Sequence, residues 1–249
     1  MVEVLSSRLA PGAKLFLVGF SLGANTVVKY LGEMGLAGKD KLPRNVAGAA
    51  SLCNPMKIDH SKLKSPWSQI LTLGMKRHLF QHRNFVDQFT CQNYRKASRQ
   101  MMYHSKSLDE MTGIMVPHVI RNSVRFPFEN SIGYENSEEY WNEASSKNYI
   151  AHVPVPLLLC FATDDDISFH NTLAAMNTCL SNPNVILVQT KCGGHIGWNT
   201  ATHGNFVDRT VTQFVSSVIR KEHWNLVAES RMEASRKSRS LANGIQSKL

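Results

Sequence analysis

A change in hydrophobic period near residue 21 constrains the fold of this chain more than any other feature. Residues 15–20 form a short apolar run without alternation, which is typical of a strand buried on both faces. From Ala24 onward, apolar residues recur every three or four positions, which is the period of a helix. Between the two lies Gly19-Phe20-Ser21-Leu22-Gly23, whose glycines allow a tight turn. The sequence therefore predicts a strand, a turn and a helix in succession.

Three later apolar runs have the same character as residues 15–20. They cover residues 46–53, 156–162 and 185–190. Helix-like segments connect them, and residues 207–218 carry apolar side chains at helical spacing. Apolar strands that alternate with helices predict an α/β class with a parallel sheet.

One connection is much longer than a crossover helix needs. The stretch between the second and third runs is rich in Met, His and aromatic residues, so we expect an inserted helical lid at about residues 55–149. After residue 222 the sequence turns to Ser, Arg, Lys, Glu and Asn, with too little apolar content to pack. We therefore predict one domain over residues 1–222, followed by a basic, disordered tail over residues 223–249.

Charge and composition narrow the classes of partner. The chain carries 28 Lys and Arg against 19 Asp and Glu, a net charge of +9, and part of the excess lies in the tail. Because no zinc-finger spacing or other nucleic-acid motif is present, a nucleic-acid partner is not expected. The basic tail leaves peripheral contact with an anionic membrane open.

Targeting signals are not evident in the sequence. No apolar stretch approaches the roughly 18 residues that span a bilayer, and Met1 does not lead into a signal-peptide pattern. The five cysteines are odd in number and lack C-x-x-C spacing, which is typical of reduced thiols inside a cell. We expect an intracellular protein, either cytoplasmic or membrane-associated.

The turn at residues 19–23 carries the strongest candidate for chemistry. G-x-S-x-G between a strand and a helix is the pattern of a nucleophile elbow, in which the serine occupies a strained turn and its Oγ projects toward substrate. Glycines two residues to either side of Ser21 are predicted to relieve steric crowding. The backbone N–H of Leu22, at the helix N-terminus, is the predicted oxyanion donor.

A serine nucleophile needs a base that removes its proton. His195 is the strongest candidate, because it lies in a glycine-flanked loop just after the last strand run. His203 follows the same strand and is the alternative. His78 and His82 have the i, i+4 spacing of zinc ligands, but no Glu or third ligand lies nearby in sequence, so neither a metal nor another cofactor is expected.

A carboxylate should orient the base, and after a nucleophile elbow it follows a strand between the serine and the histidine in chain order. Asp164, Asp165 and Asp166 follow the third apolar run. Three consecutive side chains cannot all face one histidine, and the spacing does not choose among them. A helix-capping acidic turn is the alternative interpretation of this cluster.

Several passages resemble the α/β-hydrolase superfamily, and specifically its YheT-like branch, which contains the mammalian ABHD lipases and the plant embryogenesis-associated hydrolases. These passages are residues 19–25, 133–134, 139–141, 144–146, 154–159 and 193–197. In that family the second Asp of an Asp-Asp-Pro sequence completes the catalytic triad, which implies Ser21, Asp165 and His195 here. Asp166 stands where the family has the proline. The resemblance implies small-molecule lipid or acyl esters, such as acylglycerols or phospholipids, as substrates.

The resemblance also implies that part of the fold is absent. A complete α/β hydrolase has about four strands before the nucleophile strand, whereas few residues precede Lys14. We therefore expect the C-terminal part of an α/β-hydrolase fold, from the nucleophile strand onward, in an N-terminally truncated chain. Residues 15–20 would then lie at a sheet edge, and the loop that supplies a second oxyanion donor would be missing.

These features together favour a serine carboxylic-ester hydrolase of the lipase type. Two alternatives stay open. One is a catalytically impaired fragment that acts as a non-catalytic interaction chain, and the other is an acyltransferase that uses the same three residues. Acyl length, head group and oligomeric state are not predicted by the sequence.

Overall fold

The computed structural model is built around one parallel sheet. It describes residues 1–38, 40–60, 63, 65–86, 88, 92–118, 134–168, 172, 176–200 and 204–221. Four strands pair side by side in the order in which they follow along the chain, and all are parallel. They are β1 (Leu15–Phe20), β2 (Val46–Leu52), β3 (Leu157–Ala162) and β4 (Val185–Thr190). This sheet confirms the predicted α/β class.

Helices connect these strands. The first is α1 (Val2–Arg8), before β1, and α2 (Leu22–Ala37) connects β1 to β2. Between β2 and β3 lie α3 (Trp67–Gln81), α4 (Arg83–Val86), α5 (Gln92–Tyr103), α6 (Leu108–Met115) and α7 (Ser137–Ala144), with 3₁₀ turns at Val116–His118, Ser146–Asn148 and Ile150–His152. The chain continues with α8 (Met176–Leu180) before β4, the short antiparallel pair β5 (Asn199–Thr200) and β6 (Gly204–Asn205), and a helix α9 at residues 206–221.

The long connection between β2 and β3 is helical rather than a bare loop. Within the predicted lid at residues 55–149, the described residues hold the five helices α3 to α7. That these helices act as a lid, and that the domain ends near residue 222, stay predictions. The predicted tail at residues 223–249 lies outside the described residues.

Apolar side chains cover both faces of the sheet. Strands β2 and β3 are buried along their whole length, as continuous apolar runs in a parallel sheet require. Each fully buried Leu or Val side chain stabilises the fold by roughly 1.5–3 kcal/mol relative to an exposed one. On one face the core consists mainly of α2, β2 and β3 with the 3₁₀ turn after α7, through Val28, Leu31, Ala49, Ile150, Val153, Leu157 and Leu159. On the other face it includes Leu52, Leu158, Cys160, Trp198, Val207 and Phe214.

The strand β1 lies at one edge of the described sheet. It pairs with β2 on one side, from Leu15 to Phe20, and no other described strand pairs with it. Its side chains Val18 and Phe20 are 46% and 44% exposed. The expected edge position is therefore observed, and two apolar side chains of this strand are exposed on one face of the sheet.

Parallel pairing brings four chain segments to the same edge of the sheet. Ser21 follows β1, Cys53 follows β2, residues 163–165 follow β3, and residues 191–195 follow β4. In an open α/β sheet, this carboxyl edge is where ligands bind. The fold therefore positions Ser21, Asp165 and His195 at the carboxyl ends of β1, β3 and β4, on one edge of the sheet.

Candidate active site

Ser21 occupies a strained turn between β1 and α2. Its backbone has φ +52° and ψ −124°, a conformation that costs a non-glycine residue of order 1–3 kcal/mol. The Ser21 N–H donates to the carbonyl of Leu52 at 2.9 Å, which fixes the turn to the end of β2. The helix begins at Leu22, so the first amide groups of α2 surround the serine.

The two glycines of the turn differ in what they do. A Cβ on Gly19 would lie 2.4 Å from the carbonyl oxygen of Gly23, which is closer than real Cβ atoms come. A Cβ on Gly23 would have no heavy atom within 4 Å. The sequence predicts that both glycines relieve crowding. In the structure only Gly19 does, because a Cβ on Gly19 would point at the backbone of Gly23 and Ala24, whereas a Cβ on Gly23 would point into open space.

The structure brings Ser21, His195 and Asp165 into one hydrogen-bonded chain. The Ser21 Oγ lies 2.8 Å from Nε2 of His195. On the other side of the ring, Nδ1 lies 2.9 Å from Oδ2 and 3.1 Å from Oδ1 of Asp165. With the Nδ1–H tautomer, the ring donates to Asp165 and accepts from the Ser21 hydroxyl. This arrangement can pull the proton from Oγ while a carboxylate supports the positive charge on the ring.

Asp165 is buried and held in its ionised form. Burial by itself would raise the pKa of this carboxyl, but hydrogen bonds from the His195 ring, the Ser168 hydroxyl and the Ser168 amide lower the pKa below its usual value. The amide of Ile167 also donates to Oδ1, at 2.9 Å. Asp165 thus closes an acidic turn, as the alternative interpretation expects, and contacts the imidazole with the same carboxylate.

Asp164 binds the backbone of the histidine loop instead of the ring. Its Oδ1 accepts from the amide of Gly194 at 2.8 Å, and its Oδ2 accepts from the amide of Gly193 at 3.2 Å. Asp166 is exposed and makes no hydrogen bond to His195. The three aspartates therefore differ by position: one meets the imidazole, one holds the loop, and one points to solvent.

The loop before His195 needs glycine for two reasons. Gly193 has φ +156° and Gly194 has φ +56°, and a Cβ on Gly193 would lie 2.3 Å from Nε1 of Trp198. That indole is 5% exposed and donates to Oγ1 of Thr190 at 2.8 Å. The backbone of the loop therefore packs directly against the Trp198 indole, two residues before His195.

Cys53 is a site residue that the sequence analysis did not single out. It sits at the end of β2 with φ +53°, is fully buried, and donates its thiol to the carbonyl of His195. Burial, together with the nearby Asp165 and Cys160, raises the pKa of the Cys53 thiol, so the group stays neutral and acts as a donor. The left-handed conformation of a residue after a strand has no signal in the sequence.

A buried polar network continues from Asp165 into the core. The hydroxyl of Ser168 donates to Asp165, and the hydroxyl of Thr172 donates to the carbonyls of Ser168 and Asn54 at 3.0 and 2.7 Å. The amide of Asn54 donates in turn to the hydroxyl of Ser146 at 3.2 Å. These groups are satisfied by one another, so they fix the loop after β3 relative to the loop after β2.

Asn25 connects the same network to the helix that follows the serine. Its Nδ2 donates to the carbonyl of Ala144 at 2.8 Å, and its Oδ1 accepts from the amide of Ser146 at 2.8 Å. The side chain is 4% exposed although it lies one turn from Ser21. Residues 19–25 and 144–146 both belong to the passages that carry the family resemblance. The hydrogen bonds of Asn25 give a physical reason why these two passages occur together.

The histidines considered for a metal site lie elsewhere. The rings of His78 and His82 are 4.6 Å apart at the C-terminal end of α3. In the described part of the chain, the group with three metal-ligand types close together is Cys53, Asp165 and His195, with ligand atoms within 4.8 Å. A metal there would require the Cys53 thiolate, which burial disfavours. His203 lies outside the described residues.

Within the described ranges, no helix is both long enough and apolar enough to cross a lipid bilayer.

Sequence comparison finds relatives with named activities. The chain is 27% identical to Phospholipase ABHD3 of Mus musculus over 224 residues, which is 86% of this chain and 48% of that protein. It is 30% identical to Monoacylglycerol lipase ABHD2 of Mus musculus (77% of this chain, 44% of that protein) and 31% identical to Embryogenesis-associated protein EMB8 of Picea glauca (75% and 37%). The chain spans about half the length, or less, of the curated relatives it matches. No family model matches it.

Among solved structures, the monoacylglycerol lipase of Paleococcus ferrophilus superposes with a TM-score of 0.46 at 14% identity, covering 87% of this chain and 73% of that one.

Proposed function

Since this chain belongs to the ABHD branch of the α/β hydrolases, we propose that it hydrolyses the carboxylic esters of lipids with Ser21 as the nucleophile. The observation that carries the proposal is the unbroken hydrogen-bonded path from Asp165 through His195 to the Ser21 Oγ, with ring-to-oxygen distances of 2.9 and 2.8 Å. A serine hydroxyl becomes a useful nucleophile only when such a base is in contact with it.

In the first step, Oγ of Ser21 attacks the carbonyl carbon of the ester while Nε2 of His195 takes the hydroxyl proton. The ring becomes an imidazolium, and the Asp165 carboxylate stabilises that charge through Nδ1. The lowered pKa of Asp165 supports this role, because the carboxylate stays ionised at neutral pH.

The carbonyl oxygen becomes an oxyanion in the tetrahedral intermediate. The N–H of Leu22 is the first amide of α2, so the helix itself does not use it, and it lies at the positive end of the helix dipole. We assign it to the oxyanion. A single donor of this kind typically contributes about 10²–10³ in kcat.

His195 then returns its proton to the leaving alcohol, and the acyl group stays on Ser21. In the second half of the reaction a water molecule loses a proton to Nε2 and attacks the acyl-enzyme, and the free acid leaves as Oγ regains its proton. Every proton transfer in this scheme passes through His195, so the scheme requires no cofactor.

The substrate class rests on the relatives. Two of them are named as a phospholipase and a monoacylglycerol lipase. We therefore propose acylglycerols or phospholipids as the substrate class for this chain.

The proposal is tested by labelling the purified chain with a fluorophosphonate probe, which reacts with activated serines. The wild type should be labelled, and label should disappear in Ser21→Ala and His195→Ala. The matched control is Ser181→Ala, which removes an exposed hydroxyl that is bonded to the carbonyl of Thr178 and should keep full labelling. Label that persists in Ser21→Ala would refute the assignment of the nucleophile.

A second candidate function is favoured by the exposed edge of β1. The strand β1 has one described neighbour, and more than two-fifths of each of the side chains Val18, Phe20 and Leu22, in and just after this strand, is exposed. Such an edge can pair with a strand of another chain. A folded wild type that takes no label, and binds a partner less tightly after Val18→Lys, would favour a non-catalytic interaction chain over an enzyme.

A further inference from the structure

The helix α3 buries polar side chains and exposes several apolar ones, unlike an ordinary surface helix. Its inward side contains Ser68, Thr72 and Lys76, of which Thr72 is 4% exposed. Thr72 donates to the carbonyl of Ser68, and Nζ of Lys76 donates to the carbonyl of Ser105 beyond α5, at 2.7 Å. These three polar residues therefore face the neighbouring helices, and much of the apolar surface of α3 is exposed.

The outward side of α3 presents an apolar stripe that ends in cations. Ile70, Leu73, Arg77 and Phe80 follow the i, i+3, i+7, i+10 spacing of one helix face. Ile70 is 52% exposed and Leu73 is 70% exposed. At the end of the stripe, the guanidinium of Arg83 lies 4.6 Å over the ring of Phe80.

The helix packed beside α3 presents more cations. In α5, Ala97, Ser98, Met101 and Met102 are buried. The opposite side of α5 carries Arg95, Lys96 and Arg99, which line a surface cavity of about 550 Å³ together with Gln92, Gln100, Tyr103 and His104. Helices α3 and α5 contact one another.

The segment that contains α3 and α5 carries a strong excess of positive charge. Residues 67–104 contain six Lys and Arg and a single acidic residue, Asp87. A protein partner in water would be expected to match the apolar stripe with an apolar face, and a nucleic acid would match the cations but not the stripe. An anionic bilayer matches both, because acyl chains accept apolar side chains while the head groups attract the cations.

We propose that the exposed sides of α3 and α5 form a docking surface for an anionic membrane. This α3–α5 surface consists of Ile70, Leu73, Arg77, Phe80, Arg83, Arg95, Lys96 and Arg99. Ile70, Leu73 and Phe80 insert at the boundary between head groups and acyl chains, and the cations contact the lipid phosphates. The surface brings the chain to where lipid esters are found, but its binding does not use Ser21 chemistry.

The test is binding of the full chain to vesicles of phosphatidylcholine alone and of phosphatidylcholine mixed with phosphatidylserine, measured by co-sedimentation. We expect binding to the mixed vesicles that weakens as salt rises. In Ile70→Ser/Leu73→Ser the partition coefficient should fall by about tenfold or more, since two half-exposed apolar side chains lose their insertion. In Arg77→Glu/Lys96→Glu a fall of at least about tenfold is expected from the lost attraction of two cations to the anionic surface.

Two control variants separate this surface from others on the chain. Leu36→Ser/Ile219→Ser removes apolar side chains of comparable exposure from α2 and α9 and should bind like the wild type. Arg236→Glu/Lys237→Glu changes the same amount of charge in the basic tail and should reduce binding less than Arg77→Glu/Lys96→Glu. Thermal unfolding followed by circular dichroism checks that each variant is folded.

Three outcomes would overturn the proposal. The first is a folded wild type that does not sediment with the mixed vesicles. The second is binding that is lost through the tail variant and kept in both α3–α5 variants. The third is a wild-type dimer in sedimentation analysis that Ile70→Ser/Leu73→Ser converts to a monomer without any change in vesicle binding. Because Ser21→Ala should bind vesicles like the wild type, failure of this proposal and failure of the proposed hydrolysis are separate results.

Discussion

The carboxyl edge of the sheet and the helix pair α3 and α5 use polar and apolar side chains in opposite ways. At the sheet edge, Asp165, Ser168 and Asn25 are buried, and each is bonded to other protein groups. On α3, apolar side chains such as Leu73 face solvent, and Thr72 and Lys76 face the neighbouring helices. The sheet edge is a closed network that fixes the positions of the site side chains. The outward side of α3 and α5 is an open surface that, in our proposal, contacts an anionic membrane.

A substitution should therefore have different consequences in the two regions. A buried polar group that loses its partner leaves another group unsatisfied, so changes at the sheet edge should affect both geometry and stability. An exposed side chain contributes little to the free energy of folding. Substitutions on the outward side of α3 should therefore change binding and leave stability nearly unchanged.

The adjacent aspartates Asp165 and Asp164 should differ by orders of magnitude. Asp165→Asn places an amide against Nδ1 of His195, which favours the wrong tautomer, and a loss of roughly 10⁴ in kcat is expected. Asp164→Asn keeps one acceptor for the amides of Gly193 and Gly194, and a loss within about tenfold is expected. Ester hydrolysis by the purified variants measures both, and the reverse ranking would move the carboxylate role to Asp164.

The two glycines of the serine turn should respond to alanine with opposite signs. In Gly19→Ala the new methyl group meets the carbonyl of Gly23, so the free energy of unfolding should fall by about 1–3 kcal/mol or more. In Gly23→Ala there is open space, and a helical alanine should stabilise by about 0.5–1 kcal/mol. Urea unfolding measures both variants, and equal losses in the two would contradict the packing of the turn.

The clamp between α2 and the residues after α7 should contribute to stability. Asn25→Ala leaves the carbonyl of Ala144 and the amide of Ser146 without their side-chain partner, which should cost about 1–3 kcal/mol in the free energy of unfolding. Asn142→Ala, at an exposed position on α7, is the matched control and should change it by less than about 0.5 kcal/mol. A loss of the same size in the control would assign the effect to α7 rather than to the clamp.

The smallest effect on stability is expected on the outward side of α3. Ile70→Ser should change the free energy of unfolding by less than about 0.5 kcal/mol, because the side chain is already half exposed. The same urea experiment measures it. A loss above about 2 kcal/mol would mean that Ile70 packs against the protein, and the contrast between the two regions would fail.

The features that the sequence predicts are those set by local patterns. The change of period at Ser21 predicts the strand, turn and helix, and parallel apolar runs predict that residues after each strand meet at one edge. This is why Ser21 and His195 could be proposed to lie together from residue types and order alone. The choice between Asp164 and Asp165 needed either the family resemblance or the structure. Both residues follow the same strand, and their order in the sequence does not show which side chain faces His195.

Other features depend on how distant segments pack. The thiol of Cys53 contacts a carbonyl 142 positions away, and the side chain of Asn25 donates to the carbonyl of Ala144, 119 positions away. No periodicity in the sequence records such contacts. The outward apolar stripe of α3 is also hidden, because apolar residues occur around the whole circumference of that helix and its exposed side is decided by its neighbours.

Trp198 gives the loop of the histidine an optical reporter. Trp198 lies three residues after His195. Its indole is buried beneath Gly193 and donates a hydrogen bond to Thr190. A displacement of the loop that carries the imidazole away from the Ser21 hydroxyl would remove the Gly193 backbone from this ring, and an indole that becomes exposed to water emits at longer wavelength. In a variant whose three other tryptophans are replaced by phenylalanine, the position of this loop can therefore be followed by fluorescence in the absence of any substrate.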